Sequence, residues 1–226
     1  MKFYSKLNFK IITLVLLIII SQKNAINAQQ SIYLGIHANP LIGWFGSHSS
    51  TITSHSPKTG FNFGLNLTKY FYENYAFSTG LSLITSGGNF SCNDTITLQL
   101  ENPSKVYPKN RIVYNIHYLS IPVGIKLRTN QIGFISIFTD IGLDPKVTLG
   151  GKVSVPSQHI PKDKAASELK AMSMGYHIIG GIEYSLGGNT EVVLGINFEN
   201  NFTDIIKHPS DKISHKMFGL HLGLNF

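Results

Sequence analysis

At 226 residues, 42% of them hydrophobic and 14% charged, the chain has the length of a single domain. Its formal charge of +7 comes with no basic helix, aromatic RNA-binding signature or zinc spacing, which excludes a nucleic-acid partner. Cys92, the single cysteine, excludes an internal disulfide and a cysteine metal pair.

Lys2, Lys6 and Lys10 lead into an apolar run from Ile11 to Ile20, broken by Thr13, and a polar stretch closes on Ala28. This is the pattern of a secretory signal peptide over residues 1–28, with Ile26 at the minus-three position. The apolar run is shorter than the roughly 20 residues of a membrane-spanning helix. No cysteine stands near the cleavage point, which argues against a lipid anchor. Loss of Lys2, Lys6, Lys10 and Lys23 lowers the formal charge from +7 to +3, so most of the basic excess belongs to the leader. Residues 29–226 are then one exported domain.

From Ile32 onward, apolar-alternating runs and polar gaps succeed one another, and a period of two assigns alternate residues to opposite faces of a strand. Run one sets Ile32, Leu34, Ile36 and Ala38 against Tyr33, Gly35, His37 and Asn39, and extends to Phe45, weakened by Pro40. A Ser-, Thr- and His-rich gap (Gly46 to Lys58) precedes run two, in which Phe61, Phe63, Leu65 and Leu67 alternate with Asn62, Gly64, Asn66 and Thr68. Tyr72, Glu73 and Asn74 turn the chain into run three, with Tyr75, Phe77, Thr79, Leu81 and Leu83 opposite Ala76, Ser78, Gly80 and Ser82. A long gap, Ser86 to about Arg111, follows. Runs four and five form a hairpin: Leu119, Ile121, Val123, Ile125 and Leu127 oppose Ser120, Pro122, Gly124, Lys126 and Arg128. After a turn at Thr129 to Gln131, Ile135, Ile137, Thr139 and Ile141 oppose Phe134, Ser136, Phe138 and Asp140.

A Lys- and Pro-containing gap (Gly150 to about Glu168) leads to run six, where Met174, Tyr176, Ile178, Ile182 and Tyr184 face away from Ser173, Gly175, His177, Gly181 and Glu183. Gly187, Gly188 and Asn189 make a tight turn. Run seven sets Val192, Leu194, Ile196 and Phe198 against Glu191, Gly195, Asn197 and Glu199, and run eight sets Phe218, Leu220, Leu222, Leu224 and Phe226 against Gly219, His221, Gly223 and Asn225.

The odd-numbered gaps are long and polar, whereas the even-numbered ones are turns of about three or four residues. Each arm of the central hairpin matches the roughly 9 to 11 residues of a tilted membrane-crossing strand. The pattern predicts an all-β fold, an eight-stranded antiparallel up-and-down transmembrane β-barrel in the outer membrane, with short periplasmic turns, longer external loops and both mature termini periplasmic. A soluble β-sandwich shows the same alternation, because parity alone does not separate inside from outside. The leader, the rhythm of the connections and the rings near strand ends (Tyr70, Phe71, Tyr72, Tyr75, Tyr184, Phe226) favour the membrane.

The segments Tyr118-Leu119-Ser120-Ile121-Pro122 and Gly124-Ile125-Lys126-Leu127-Arg128-Thr129-Asn130 resemble the YLxIPxxxKLxTN block of the PorT-like outer-membrane β-barrel proteins of Bacteroidota. Gly181 to Thr190 is similar to a second block of that family. The terminal Leu222-Gly223-Leu224-Asn225-Phe226 resembles the last-strand signal read by the barrel assembly machinery, with Leu222, Leu224 and Phe226 as its apolar residues. The resemblance spans essentially residues 29–226. It implies the barrel fold, and a structural or accessory role linked to protein secretion or envelope assembly, with secretion-system proteins as partners. Ser120 departs from the family, which often carries Glu at that lumen position.

An eight-stranded barrel is narrow enough for its own side chains to fill it, which disfavours an open pore. Parity places Lys126 and Arg128 inward near the turn end of run four, with Glu183 and Glu191 at the same level across the Gly187 to Asn189 turn. These four are expected to form a structural charge cluster in the lumen. For an enzyme acting at the outer rim, the candidate groups are His48 and His55, His159 near Asp163, and His208 and His215 around Asp211. Polar loops contain such residues in any case, so no catalytic residue, cofactor or metal ligand is assigned and the protein is read as a non-enzyme. His37, His177 and His221 read as hydrogen-bonded lumen filler. Lys58, Lys105, Lys109, Arg111, Lys152, Lys162, Lys164, Lys207, Lys212 and Lys216 give the external gaps a basic character suited to lipopolysaccharide phosphates, the alternative role being a loop-mediated ligand- or lipopolysaccharide-binding barrel.

Overall fold

The structure is a computed structural model that describes residues 32–47, 51–100, 103–158, 160–165, 167–207 and 213–226. The predicted leader and His48, His159, His208, Asp211 and Lys212 lie outside them. Eight antiparallel staves close into a ring: β1 (Ile32–Ser47), β3 (Lys58–Tyr72), β4 (Tyr75–Cys92), the interrupted stave β7 (Ile112–Ser120) plus β8 (Val123–Arg128), β9 (Ile135–Val155), β11 (Met172–Gly187), β12 (Thr190–Asn201) and β13 (Ile213–Asn225). Each pairs with its sequence neighbours, and β13 returns to β1 with Leu41 opposite Gly219 and Ile36 opposite Leu224. At the seam the Phe226 N–H donates to the Leu34 carbonyl at 2.7 Å, and the Leu34 N–H donates to Phe226 at 3.0 Å. Closure leaves the ring without an unpaired edge.

The alternation is inverted relative to a soluble protein. Leu65, Phe77 and Ile137 are each 56% exposed on the outside, whereas His37, Asn62, Lys126 and Glu183 are buried within. A 12-residue strand such as β12, tilted by roughly 40°, rises about 30 Å. That covers the roughly 25 Å apolar band of an outer-membrane barrel. Near the short-turn end, Phe71 packs on Phe77 with ring centroids 5.1 Å apart, and Phe134 on Tyr184 at 6.0 Å. Tyr70 does not join this outer belt. Tyr70 continues the inward face of Asn62, Gly64, Asn66 and Thr68 on β3, edge-on to Tyr33 at 5.7 Å, and the register shift follows it, between Tyr70 and Tyr72.

The turns at this end are Glu73-Asn74, residues 129–134 and Gly188-Asn189. Gly187 and Gly188 take φ of 102° and 62°, a backbone region that side-chain-bearing residues rarely adopt. The turn after β8 is longer than the three residues read from the sequence, because Ile132 and Ile135 form their own bridge.

At the opposite end several staves outrun the predicted ones. β4 continues through Cys92, β7 begins at Ile112, and β9 continues to Val155 past a bulge opposite His117 and Tyr118. Short strands extend the hairpins: β2 (Ile52–Ser54) on β4 and β10 (Ile160–Lys164) on β9. A separate ribbon, β5 (Ile96–Leu98) with β6 (Ser104–Val106), lies in the gap after β4. Leu98 and Val106 share one apolar cluster with Phe45, Phe90, Tyr114 and Tyr118 from the staves, and with Leu169 and Ile205 from the long loops. The barrel therefore has a polar lumen toward its turns and an ordinary hydrophobic core toward its loops.

Candidate functional site

The four charges singled out from the sequence sit together at the turn end. β8 projects Lys126 and Arg128 inward on one parity, and the β11–β12 hairpin brings Glu183 and Glu191 to the same level. Lys126 donates to Glu183, and Arg128 donates to Glu191 at 2.8 Å and to Glu183 at 3.4 Å. Each cation also faces a ring, Lys126 that of Phe138 at 4.7 Å and Arg128 that of Tyr70 at 5.1 Å. Lys126 and Glu183 are buried, while Arg128 and Glu191 keep 18% and 12% of their side-chain exposure. Through the single nitrogen Nη1, Arg128 reaches both glutamates and ties the β8–β9 hairpin to the β11–β12 hairpin with charge-assisted bonds.

A second polar layer above it was not singled out from the sequence. Lys146, wholly buried, donates to Glu199 at 2.7 Å and to Asn201 at 3.1 Å, and Asn197 donates to the other oxygen of Glu199 at 2.9 Å. The His177 ring stands between two carboxylates, with Nδ1 2.8 Å from Asp144 and Nε2 3.4 Å from Asp140. Ser78 donates to Asp140 at 2.8 Å. Glycines make room for this ring, since a Cβ on Gly142 would lie 2.6 Å from His177 Cε1 and 2.6 Å from Gly124 Cα. The available signal is parity: Asp144 and Lys146 continue the inward face of Ser136, Phe138 and Asp140 on β9, beyond the Ile141 that closes the alternating run.

His37 completes the lumen from β1. Its Nδ1 lies 2.6 Å from Asn66 Oδ1, and its Nε2 lies 3.1 Å from Asn62 Oδ1 and 3.2 Å from Ser82 Oγ. The His221 ring lies beside it, tilted by 32° with ring centroids 5.7 Å apart. Ser120 faces the same lumen, buried opposite Lys146 on β9. These side chains surround a cavity of about 70 Å³. Above it the lumen is blocked: Phe45, Ile84, Phe90, Tyr114, Tyr118 and Met217 are at most 2% exposed.

Of the loop histidines, His55 is exposed and its Nε2 lies 2.9 Å from Ser91 Oγ. His215 lies inside the apolar plug, 3.2 Å from Tyr118 OH and 3.3 Å from Ser86 Oγ. Asp163 accepts from the Lys164 backbone N–H at 2.7 Å. Thus His215 is not a loop group but a buried one, and its serine has no path to a substrate. Leu222 and Phe226 point outward at the seam, and Leu224 shares their parity on β13.

A closed ring with apolar residues outside and ion pairs inside is a membrane-spanning β-barrel. A family model described as the outer membrane protein beta-barrel domain matches residues 20–225, and the chain belongs to that family. It is accordingly an outer-membrane protein. Among solved structures, Neisserial surface protein A aligns at 10% identity over 88% of this chain and 98% of its own, with a TM-score of 0.50. OprG from Pseudomonas aeruginosa aligns at 10% identity over 89% and 99%, with a TM-score of 0.47. The attachment invasion locus protein Ail of Yersinia pestis aligns at 12% identity over 86% and 98%, with a TM-score of 0.44. No curated protein matches the chain by sequence.

Proposed function

We propose that this barrel is a structural or accessory protein of the outer membrane that works through its loop-end head in protein secretion or envelope assembly. In this reading a signal peptide exports it, the barrel assembly machinery inserts it through its last strand, and both mature termini face the periplasm. The head then faces outward, surrounded by lipopolysaccharide. The observation that carries the reading is the plug of Phe45, Phe90, Tyr114 and Tyr118, continuous with the Leu98 and Val106 cap. A lumen filled in this way transmits no solute, so the work falls to the outer surfaces. Its test is a null strain complemented with a chain lacking residues 95–107. The shortened chain should insert normally yet leave the secretion or permeability defect of the null strain. Normal secretion and permeability in the null strain would overturn the reading, as would a steady ohmic conductance of the purified protein in planar bilayers.

A second reading, lipopolysaccharide binding, is favoured by a notch of about 150 Å³ at the loop end. Lys58 and Lys152 line it together with Asn115 and Ser154, two cations and two hydrogen-bonding groups suited to a phosphate. Replacement of Lys58 and Lys152 by Ala should lower retention of lipopolysaccharide on the purified barrel, and unchanged retention would remove this reading.

A further inference from the structure

The described lumen carries more carboxylates than it has cations for. Glu183 and Glu191 are matched by Lys126 and Arg128, and Glu199 by Lys146. Asp140 and Asp144 remain, and they share His177. Both carboxylates lean on that one imidazole, since His37 is turned to the Asn62 and Asn66 amides, so an oxygen of the pair stands without a cation of its own in a closed interior, where an uncompensated charge is costly.

The excess has a definite place. Asp144 is 2% exposed and its Oδ1 meets His177, but its Oδ2 has no hydrogen-bond partner among the described residues. Asn197 is 6% exposed, and its Oδ1 is likewise without one while its Nδ2 serves Glu199. Both oxygens are acceptors and both residues line the cavity of about 70 Å³. A single water needs roughly 10 to 15 Å³ in this measure, so the space admits a small ion with part of its hydration shell.

We propose that this cavity is a binding site for a monovalent cation, held by Asp144 and Asn197 and completed by water. The ligand set selects the ion class. Two hard oxygens, of which one is charged, neutralise a single positive charge. A divalent ion takes more carboxylates, and no group of three or more His, Cys, Asp or Glu among the described residues is arranged to hold a metal. Bound in this place, the cation joins β9, which supplies Asp144, to β12, which supplies Asn197, across β11 between them. It thereby stiffens the side of the barrel that carries His177.

The test uses the full barrel in detergent micelles. Thermal unfolding midpoints are compared in sodium, potassium and choline chloride at equal ionic strength, and ²³Na line widths are followed in parallel. A saturable rise of about 3 °C or more in sodium or potassium over choline is expected from binding to the folded state alone, with broadened ²³Na resonance if sodium is the ion. Asp144→Asn should remove the cation dependence, and Asn197→Ala should weaken the apparent affinity about tenfold while the protein stays heat-modifiable. Equal midpoints in all three salts would overturn the proposal. So would a cation dependence that survives in Asn197→Ala at unchanged affinity, a readout that remains if Asp144→Asn does not fold.

Discussion

The Lys126–Glu183 pair offers the sharpest energetic test, because both partners are buried at the junction of two hairpins 57 residues apart in sequence. Lys126→Met leaves Glu183 with only the Arg128 contact at 3.4 Å and the Asn225 amide at 3.5 Å. Breaking one side of a buried pair typically costs about 3 to 5 kcal/mol, since the other charge stays desolvated. The remaining contacts and the partial exposure of Arg128 place the loss at the lower end, about 3 kcal/mol, or roughly a hundredfold in the folding equilibrium. Glu183→Gln strands Lys126, which keeps the Phe138 ring, and should cost a similar amount. The double substitution removes both charges and should cost markedly less than the sum, with a coupling of about 2 kcal/mol. Urea unfolding of the refolded barrel in lipid vesicles, followed by tryptophan emission and by gel mobility before and after boiling, measures all four corners of the cycle. Losses additive to within about 0.5 kcal/mol would refute the pairing and leave four separately solvated charges at the barrel mouth.

Gly142→Val should destabilise by about 1 to 3 kcal/mol through overpacking, because its Cβ enters the space of the His177 ring and the β8 backbone; an unchanged unfolding midpoint would show that His177 moves freely. Protease added to whole cells should cut the loop-end gaps, around Ser50 or Lys162, and spare the turns at Glu73, Asn130 and Gly188, whereas the reverse pattern would invert the topology. Deletion of Phe226 removes both backbone bonds to Leu34 and the terminal ring, and should raise the fraction of chain that runs unfolded on an unboiled gel. An unaltered fraction would deny the last residue a part in closure and assembly.

The membrane-crossing half of this fold is plainly written in the sequence because its two faces meet different solvents. Leu65 and Leu67 meet lipid while Gly64 and Asn66 line the lumen, and nothing blurs the period of two. The loop-end half follows a different rule. From Ser86 to Cys92 every residue of β4 is buried, on the inside by Phe45 and Tyr114, and on the outside by the 51–57 segment through contacts such as Asn89 to the Ser56 carbonyl. A strand buried on both faces loses its alternation, and the run reads as a Ser- and Gly-rich gap. β9 outruns its alternating run for a related reason: Pro145 and the Gly150-Gly151 pair look like loop residues, yet Pro145 faces the break between β7 and β8, where its carbonyl accepts from the Ile121 N–H at 3.1 Å, and the glycines follow a bulge. Ending the strand with that run hides Asp144 and Lys146, and with them the second polar layer. Tyr70 was legible as a lumen residue, since it continues the parity of Asn62, Gly64, Asn66 and Thr68, and the bulge that reverses parity comes only after it, at Phe71.

The division into a polar lower lumen and an apolar upper core follows from where each half finds its driving force. Below, the outward side chains exchange water for lipid whether or not the lumen is well packed, and burial of Leu or Phe inside would add little that the membrane does not already supply. The interior there can hold ion pairs, which fix register by geometry: a strand shifted by one residue would turn Lys126 or Glu183 into hydrocarbon. Above the membrane the same strands stand in water on both sides and need a hydrophobic core like any soluble sheet. Phe45, Phe90, Tyr114 and Tyr118 supply it, and Leu98 and Val106 from the ribbon cover it. The plug is thus the core of the head and the stopper of the lumen at once, and enlarging the pore by trimming these rings would unfold the head before it opened a channel.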